Sequence, residues 1–219
     1  MLIGVTISLI FPSNFYMKQP RIFFGLVCAT LIICMYHYTP IGTLPALNTV
    51  PTISQRAHVL GYKRTEFGTG WSTPAGQLCS IRIIIIATQL TNEPPGSDCQ
   101  IIDSTGVDPY TGQPLRTTDA IEIDHIFPLS AAWDMGAYAW TQQQRQNFAN
   151  DPLNLVAVSR SANQQKSDQL PALWLPKNRS IRCWYVTQLA EVAAKYGLSL
   201  PKEDKKIMNR QCHIPRFIR

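Results

Sequence analysis

The chain has 219 residues, 45 % of them hydrophobic, which is enough for one domain with a proper core and too apolar for disorder to be the default. Its formal net charge is +6 and unevenly spread: no Asp or Glu occurs before Glu66, whereas from Lys166 onward 11 Lys or Arg stand against 4 acids. A basic C-terminal third suits a polyanionic partner, but a solvated lysine face is the plainer account, so charge alone selects no function.

Near the N-terminus, Lys18 and Arg21 precede an apolar run from Ile22 to Tyr36, a basic region and hydrophobic stretch of export-signal length. Met17, directly before Lys18, offers a second start. The run is short for a membrane span, so a secreted protein is expected, with an uncleaved signal anchor as the alternative. Residues 1–46 read as signal peptide or signal anchor with the start of a linker, 47–61 as the rest of that linker, and 62–219 as the folded domain. Outside the signal lie Cys79, Cys99, Cys183 and Cys212, and an even number in an exported chain suggests two disulfides. Three pairings are open. Cys79–Cys99 with Cys183–Cys212 is preferred, because each pair then brackets one local segment. None of the four has a partner at the close spacing of a zinc site.

In the domain, Tyr62 to Trp71 is turn-rich and aromatic. The next segment, Cys79 to Leu90, holds four consecutive isoleucines and reads as a buried strand or a buried helix, between which periodicity does not choose. Asn92 to Ser97 is a loop and Asp108-Pro-Tyr-Thr-Gly112 a turn. Alternation through Ile121 and Ile123 gives a strand that ends by Pro128. Ser130 is placed to cap a helix from Ala131, and Thr141 with Gln144 forms a capping box for a helix ending near Asn150. Asn154 to Val158 is the next strand, and Ser161 with Gln164 suggests a capping box for a helix carrying Asn163 and Lys166. Ser180 to Tyr196 has Ile181, Tyr185, Leu189, Val192 and Tyr196 at helical spacing, a core stripe, with Gly197 as its stop. A basic helix from Lys202 to Cys212 closes the chain. No internal repeat is visible, and the fold class is α+β.

A lone Asp-His pair means little, but here a strand ending in Asp124-His125, a strand opening at Asn154, and a helix bearing Asn163 and Lys166 follow in order. This arrangement resembles the HNH, or ββα-metal, endonucleases. More narrowly, DHIFPLS, FANDPLNLVAV, NQQK, LWLP and the upstream DPYTG are similar to exported HNH proteins related to the C-terminal domain of GmrSD-type restriction enzymes, over roughly Tyr62 to Cys212. The resemblance implies a ββα-metal motif with additional helices, disulfide-stapled, hydrolysing phosphodiester bonds of DNA with low sequence specificity. RNA is also acceptable to such a site, which attacks phosphate and does not read the sugar.

In that reading His125 is the general base, since imidazole titrates near neutral pH. Asp124 and the Asn163 amide oxygen hold one Mg²⁺ or Mn²⁺ ion, as oxygen ligands favour a hard cation. Asn154 bonds backbone across the loop and steadies His125, while Lys166 and Arg82 meet phosphate. Nucleic acid is the expected partner, with no small-molecule cofactor and a monomeric state; an inhibitor or immunity partner is left undefined. Neither His58 nor His213 has a carboxylate neighbour in sequence, and the chain lacks both Gly-x-Ser-x-Gly and a phosphate-binding loop. One departure stands out. Where the resemblance calls for acidic residues around Arg82, the sequence has Ser80 and Ile84 within CSIRIIII. That keeps a rival reading in view, a catalytically silent cell-surface module that binds nucleic acid with the same fold.

Overall fold

The computed structural model describes residues 20–37 and 44–212, which fall into two units. Of the first unit the described part is helix α1 (Pro20–His37), which carries the apolar run. No helix among the described residues is long and apolar enough to cross a membrane. Met17, Lys18 and His213 lie outside the described residues.

The second unit begins upstream of the expected domain. Residues 47–61 are not a free linker: Leu47 and Val50, with Leu44 before them, are buried in the main core around helix α2 (Ala46–Thr49). Strand β1 (Thr52–Ile53) pairs in parallel with Leu200–Pro201, and Lys205 Nζ donates to the Val50 carbonyl and Thr52 Oγ1. Prolines mask this in sequence, because they read as linker where they only bound a short strand.

The isoleucine run is helical, as α3 (Ile81–Thr91), with Ile81, Ile86 and Leu90 buried. A helix satisfies its own backbone while laying its apolar face on other elements. Strands β2 (Thr105–Val107) and β3 (Pro114–Arg116) form an antiparallel pair around the Asp108–Gly112 turn.

The central unit is a hairpin followed at once by a helix. Strand β4 (Ile121–His125) pairs antiparallel with β5 (Leu155–Ser159), from Ile121 opposite Ser159 to His125 opposite Leu155, and α6 (Arg160–Lys166) follows β5 directly. Between the strands lie α4 (Leu129–Asp134) and α5 (Gln142–Ala149). The Thr141–Gln144 capping box starts α5 as expected. Two caps differ from expectation. Helix α4 starts at Leu129 without a side-chain cap, because Ser130 donates its hydroxyl to Asp168. Helix α6 is capped by Ser159, not Ser161, since β5 runs one residue further and its terminal hydroxyl accepts from the Ala162 amide.

The hairpin has an apolar layer on each face. Ile121, Ile123, Leu155 and Ala157 pack on α3, while Val156 and Val158 join the main core. That core also takes Tyr185, Leu189 and Val192 of α7 (Arg182–Tyr196), which ends at Gly197 with φ of 62° as a left-handed stop. Strand β6 (Leu200–Pro201) and helix α8 (Lys202–Cys212) complete the α+β fold. At the outer edge of β5, the Gln89 amide donates to the Ala157 carbonyl at 2.6 Å and accepts from its N–H at 2.9 Å.

Both expected disulfides are present: Cys79–Cys99 fixes the chain ahead of α3 to the loop after it, and Cys183–Cys212 joins α7 to the end of α8. The second closes 29 residues, for which loop-closure entropy gives about 3–4 kcal/mol. Replacing Cys183 and Cys212 together by Ala should lower urea-unfolding stability by about that amount, read as a lower midpoint by circular dichroism.

Candidate functional site

Successive strand residues point to opposite faces, yet Asp124 and His125 line one cavity of about 850 Å³ with Arg82, Glu122 and Asn163. The strand ends at His125, and Asn154 redirects the chain there. Its Oδ1 accepts the Phe127 N–H at 2.7 Å, its Nδ2 donates to the Phe127 carbonyl at 3.2 Å, and its own carbonyl accepts the Ile126 N–H at 2.9 Å. Asn154 is fully buried, so these bonds have no competing water. It fastens the turn that carries His125 past the hairpin and does not reach the cavity.

His125 is held on two sides. Its Nε2 lies 2.9 Å from the Ala149 carbonyl at the end of α5, and its ring stacks on Trp71 at 5.6 Å and 15°. A carbonyl only accepts, so Nε2 carries the proton and Nδ1 is the basic nitrogen; Nδ1 has no hydrogen-bond partner among the described residues. Burial drives the His125 pKa down to about 3, against the Ala149 bond and with help from the nearby positive charges of Arg64 and Lys166. The ring is neutral near pH 7, and it titrates far below the near-neutral range expected of it because burial disfavours its charged form.

Asp124 and Lys166 make the deepest contact. The Lys166 ammonium is fully buried, donating to Asp124 Oδ1 at 2.9 Å and the His125 carbonyl at 2.8 Å, while the Tyr110 hydroxyl donates to Asp124 Oδ2 at 2.6 Å. Burial pushes the Asp124 carboxyl above its usual range, and Lys166 and Tyr110 pull it back. Lys166 was expected to meet phosphate. It instead braces the strand end from behind, because its side of α6 faces the end of β4, while Gln164 and Gln165 of the same turn are exposed.

Arg82, on the first turn of α3, donates to the Ile121 carbonyl at 2.9 Å and lines the cavity. The other cationic lining groups are Arg56 and Arg64. Arg56 is spent on Asp134 at 2.7 Å and Asp168 at 2.9 Å, whereas Arg64 is exposed and has no ion pair among the described residues. The basic C-terminal third contributes no lysine or arginine to this lining; Lys195 and Lys206 pair with Asp151 and Glu203.

Sequence reading missed several of these groups. Glu122, on the Asp124 face of β4, accepts from Arg160 at 3.1 Å and from Asn163 Nδ2 at 2.8 Å, and the two-residue strand period was its signal. Tyr110 lay in plain view in DPYTG, where Asp108 also accepts from the Ser159 amide and hydroxyl and so ties the turn to the start of α6. Trp71, Arg56 and Arg64 had no signal beyond their residue type.

A carboxylate only accepts, so the Asn163 bond to Glu122 fixes that amide with Oδ1 turned away, without a partner among the described residues. Asp124 keeps lone pairs beyond those that Lys166 and Tyr110 occupy. No group of three or more His, Cys, Asp or Glu among the described residues is placed to hold a metal. Asp124 and Asn163 thus each bring a side-chain oxygen to the lining of this cavity. That fits a hard divalent cation, which takes few protein oxygens and completes its shell with water and phosphate.

Two outcomes follow from this geometry. Lys166→Met strands the Asp124 carboxylate in the core, so urea unfolding should show a loss of about 3–5 kcal/mol. For His125 the neutral form is the folded form, and the unfolded chain binds an extra proton between about pH 6.5 and the folded value of about 3. Stability from this residue is thus complete above about pH 6.5 and is lost as pH falls. His125→Gln should make the protein more resistant to acid, by on the order of 2 kcal/mol near about pH 4.5, in urea melts compared with those at neutral pH.

No solved structure matches the chain. A protein of Arthroderma benhamiae, described as an uncharacterized secreted protein, is 36 % identical over 150 residues, covering 68 % of this chain and 72 % of its own length. Residues 85–210 match the model of the GmrSD restriction endonucleases, C-terminal domain. The matched span holds β4, β5 and α6 with Asp124, His125, Asn154, Asn163 and Lys166, and the chain belongs to that family.

Proposed function

We propose that the protein is an exported, divalent-metal-dependent endonuclease that hydrolyses phosphodiester bonds in DNA with little sequence preference. The observation that carries the reading is the convergence of Asp124, His125 and Asn163 on one cavity, with the imidazole pinned through Nε2 so that Nδ1 is its basic atom. His125 takes the proton of the attacking water. The Ala149 carbonyl and the Trp71 ring hold the imidazole in line, and the rise in positive charge on the ring is offset by that carbonyl. Asp124 and Asn163 would hold Mg²⁺ or Mn²⁺, which when bound supplies charge to offset that developing on the phosphate. Arg64 and Arg82 steady the phosphate oxygens. Family membership, two disulfides and the similarity to a secreted protein support export as the location.

A second reading, a silent nucleic-acid-binding module, draws on one observation: both oxygens of Asp124 already accept hydrogen bonds from Lys166 and Tyr110. One experiment separates the two. Plasmid DNA incubated with the purified, oxidised protein and Mg²⁺ or Mn²⁺ should be nicked, the nicking should stop in EDTA, and His125→Ala should slow it by about 100-fold or more. DNA binding without nicking, in protein whose circular dichroism is that of a folded chain, would establish the silent module instead.

A further inference from the structure

A second cavity, of about 440 Å³, adjoins the Asp124 cavity and shares Arg64, Trp71, His125 and Leu129 with it. Its lining includes the buried Phe67 and the Gly68-Thr69-Gly70 segment. The Thr69 and Gly70 amides make no hydrogen bond among the described residues, and a Cβ added at Gly70 would meet nothing within 4 Å. The lining thus combines aromatic rings, amides without a hydrogen-bond partner among the described residues and an arginine without an ion pair among them.

We propose that this second cavity is a nucleobase subsite: it takes one base of the strand whose phosphate lies at Arg64 and His125. This rests on the phosphodiesterase reading and adds to it the form of the substrate. A base that enters the slot must leave its neighbours' stack, so single strands, loops and frayed ends are better substrates than intact duplex. The pocket presents an aromatic surface, on which any base stacks, and no carboxylate or amide side chain that would select among base edges, so sequence preference stays low.

The test is fluorescence anisotropy on the whole protein in EDTA, with two labelled single-stranded probes of equal length: an oligonucleotide, and its counterpart with every base replaced by an abasic site. The base-bearing probe should bind about tenfold more tightly. Thr69 and Thr65 are exposed at the cavity rim, so Thr69→Trp and Thr65→Trp fill the space without touching the core. Either should erase the difference and leave the abasic probe's affinity as it was. Equal binding of both probes by the unaltered protein would overturn the subsite and leave the phosphodiesterase reading standing. A difference that persists in both filled variants would also overturn it, by placing base contact elsewhere. Failure of both probes to bind would overturn the subsite together with the reading beneath it.

Discussion

The buried ammonium of Lys166 sets the terms for the rest of the site. It is fully enclosed and has two acceptors, the Asp124 carboxylate and the His125 carbonyl, both at the end of β4. A charge in that position is tolerable only while both partners stay in place. The last turn of α6 and the end of the hairpin are thereby locked to each other, and a shift of either would strand a charge in the core. Tyr110 completes the enclosure from a third element, the turn between β2 and β3.

Behind this lock the molecule uses backbone atoms to aim a side chain. Asn154 holds the peptide groups of Phe127, and the Ala149 carbonyl selects the tautomer of His125. The orienting group is thus the C-terminal end of α5, whose carbonyls have no helical partner of their own. The capping box at its other end and the Arg145 guanidinium fix where that end falls: Arg145 donates to the carbonyls of Glu66 and Trp140 and pairs with the Glu66 carboxylate. Precision at one ring nitrogen therefore depends on the register of an entire helix.

Much of this was legible in the sequence, and the reasons differ by feature. The hairpin and helix were readable because strand alternation, a capping box and a glycine stop are local signals, present at Ile121 to His125, at Thr141 and at Gly197. Both disulfide pairs followed from local bracketing. The isoleucine run could not be assigned, since its hydrophobicity is the same in either form and only the partner face of β4 and β5 decides. The interior place of Lys166 was hidden for a similar reason: a lysine on a short helix looks solvated until the strand behind it is known. The arginines around the cavity come from residues 56, 64 and 82, far apart in sequence and joined only by tertiary packing. The segment 47–61 was misjudged because two buried apolar residues, Leu47 and Val50, beside a four-residue helix leave almost no periodic trace.

A two-stranded hairpin has two open edges, and an open edge invites a strand from another molecule. Here the Ala157 peptide on the outer edge of β5 is already matched in both directions by the Gln89 side chain, and the Ser159 amide beside it is taken by Asp108. One glutamine serves as a one-residue counterfeit strand. It closes that edge of the hairpin to self-templated growth, a useful property for a chain whose hairpin lies against a helix with four isoleucines in a row.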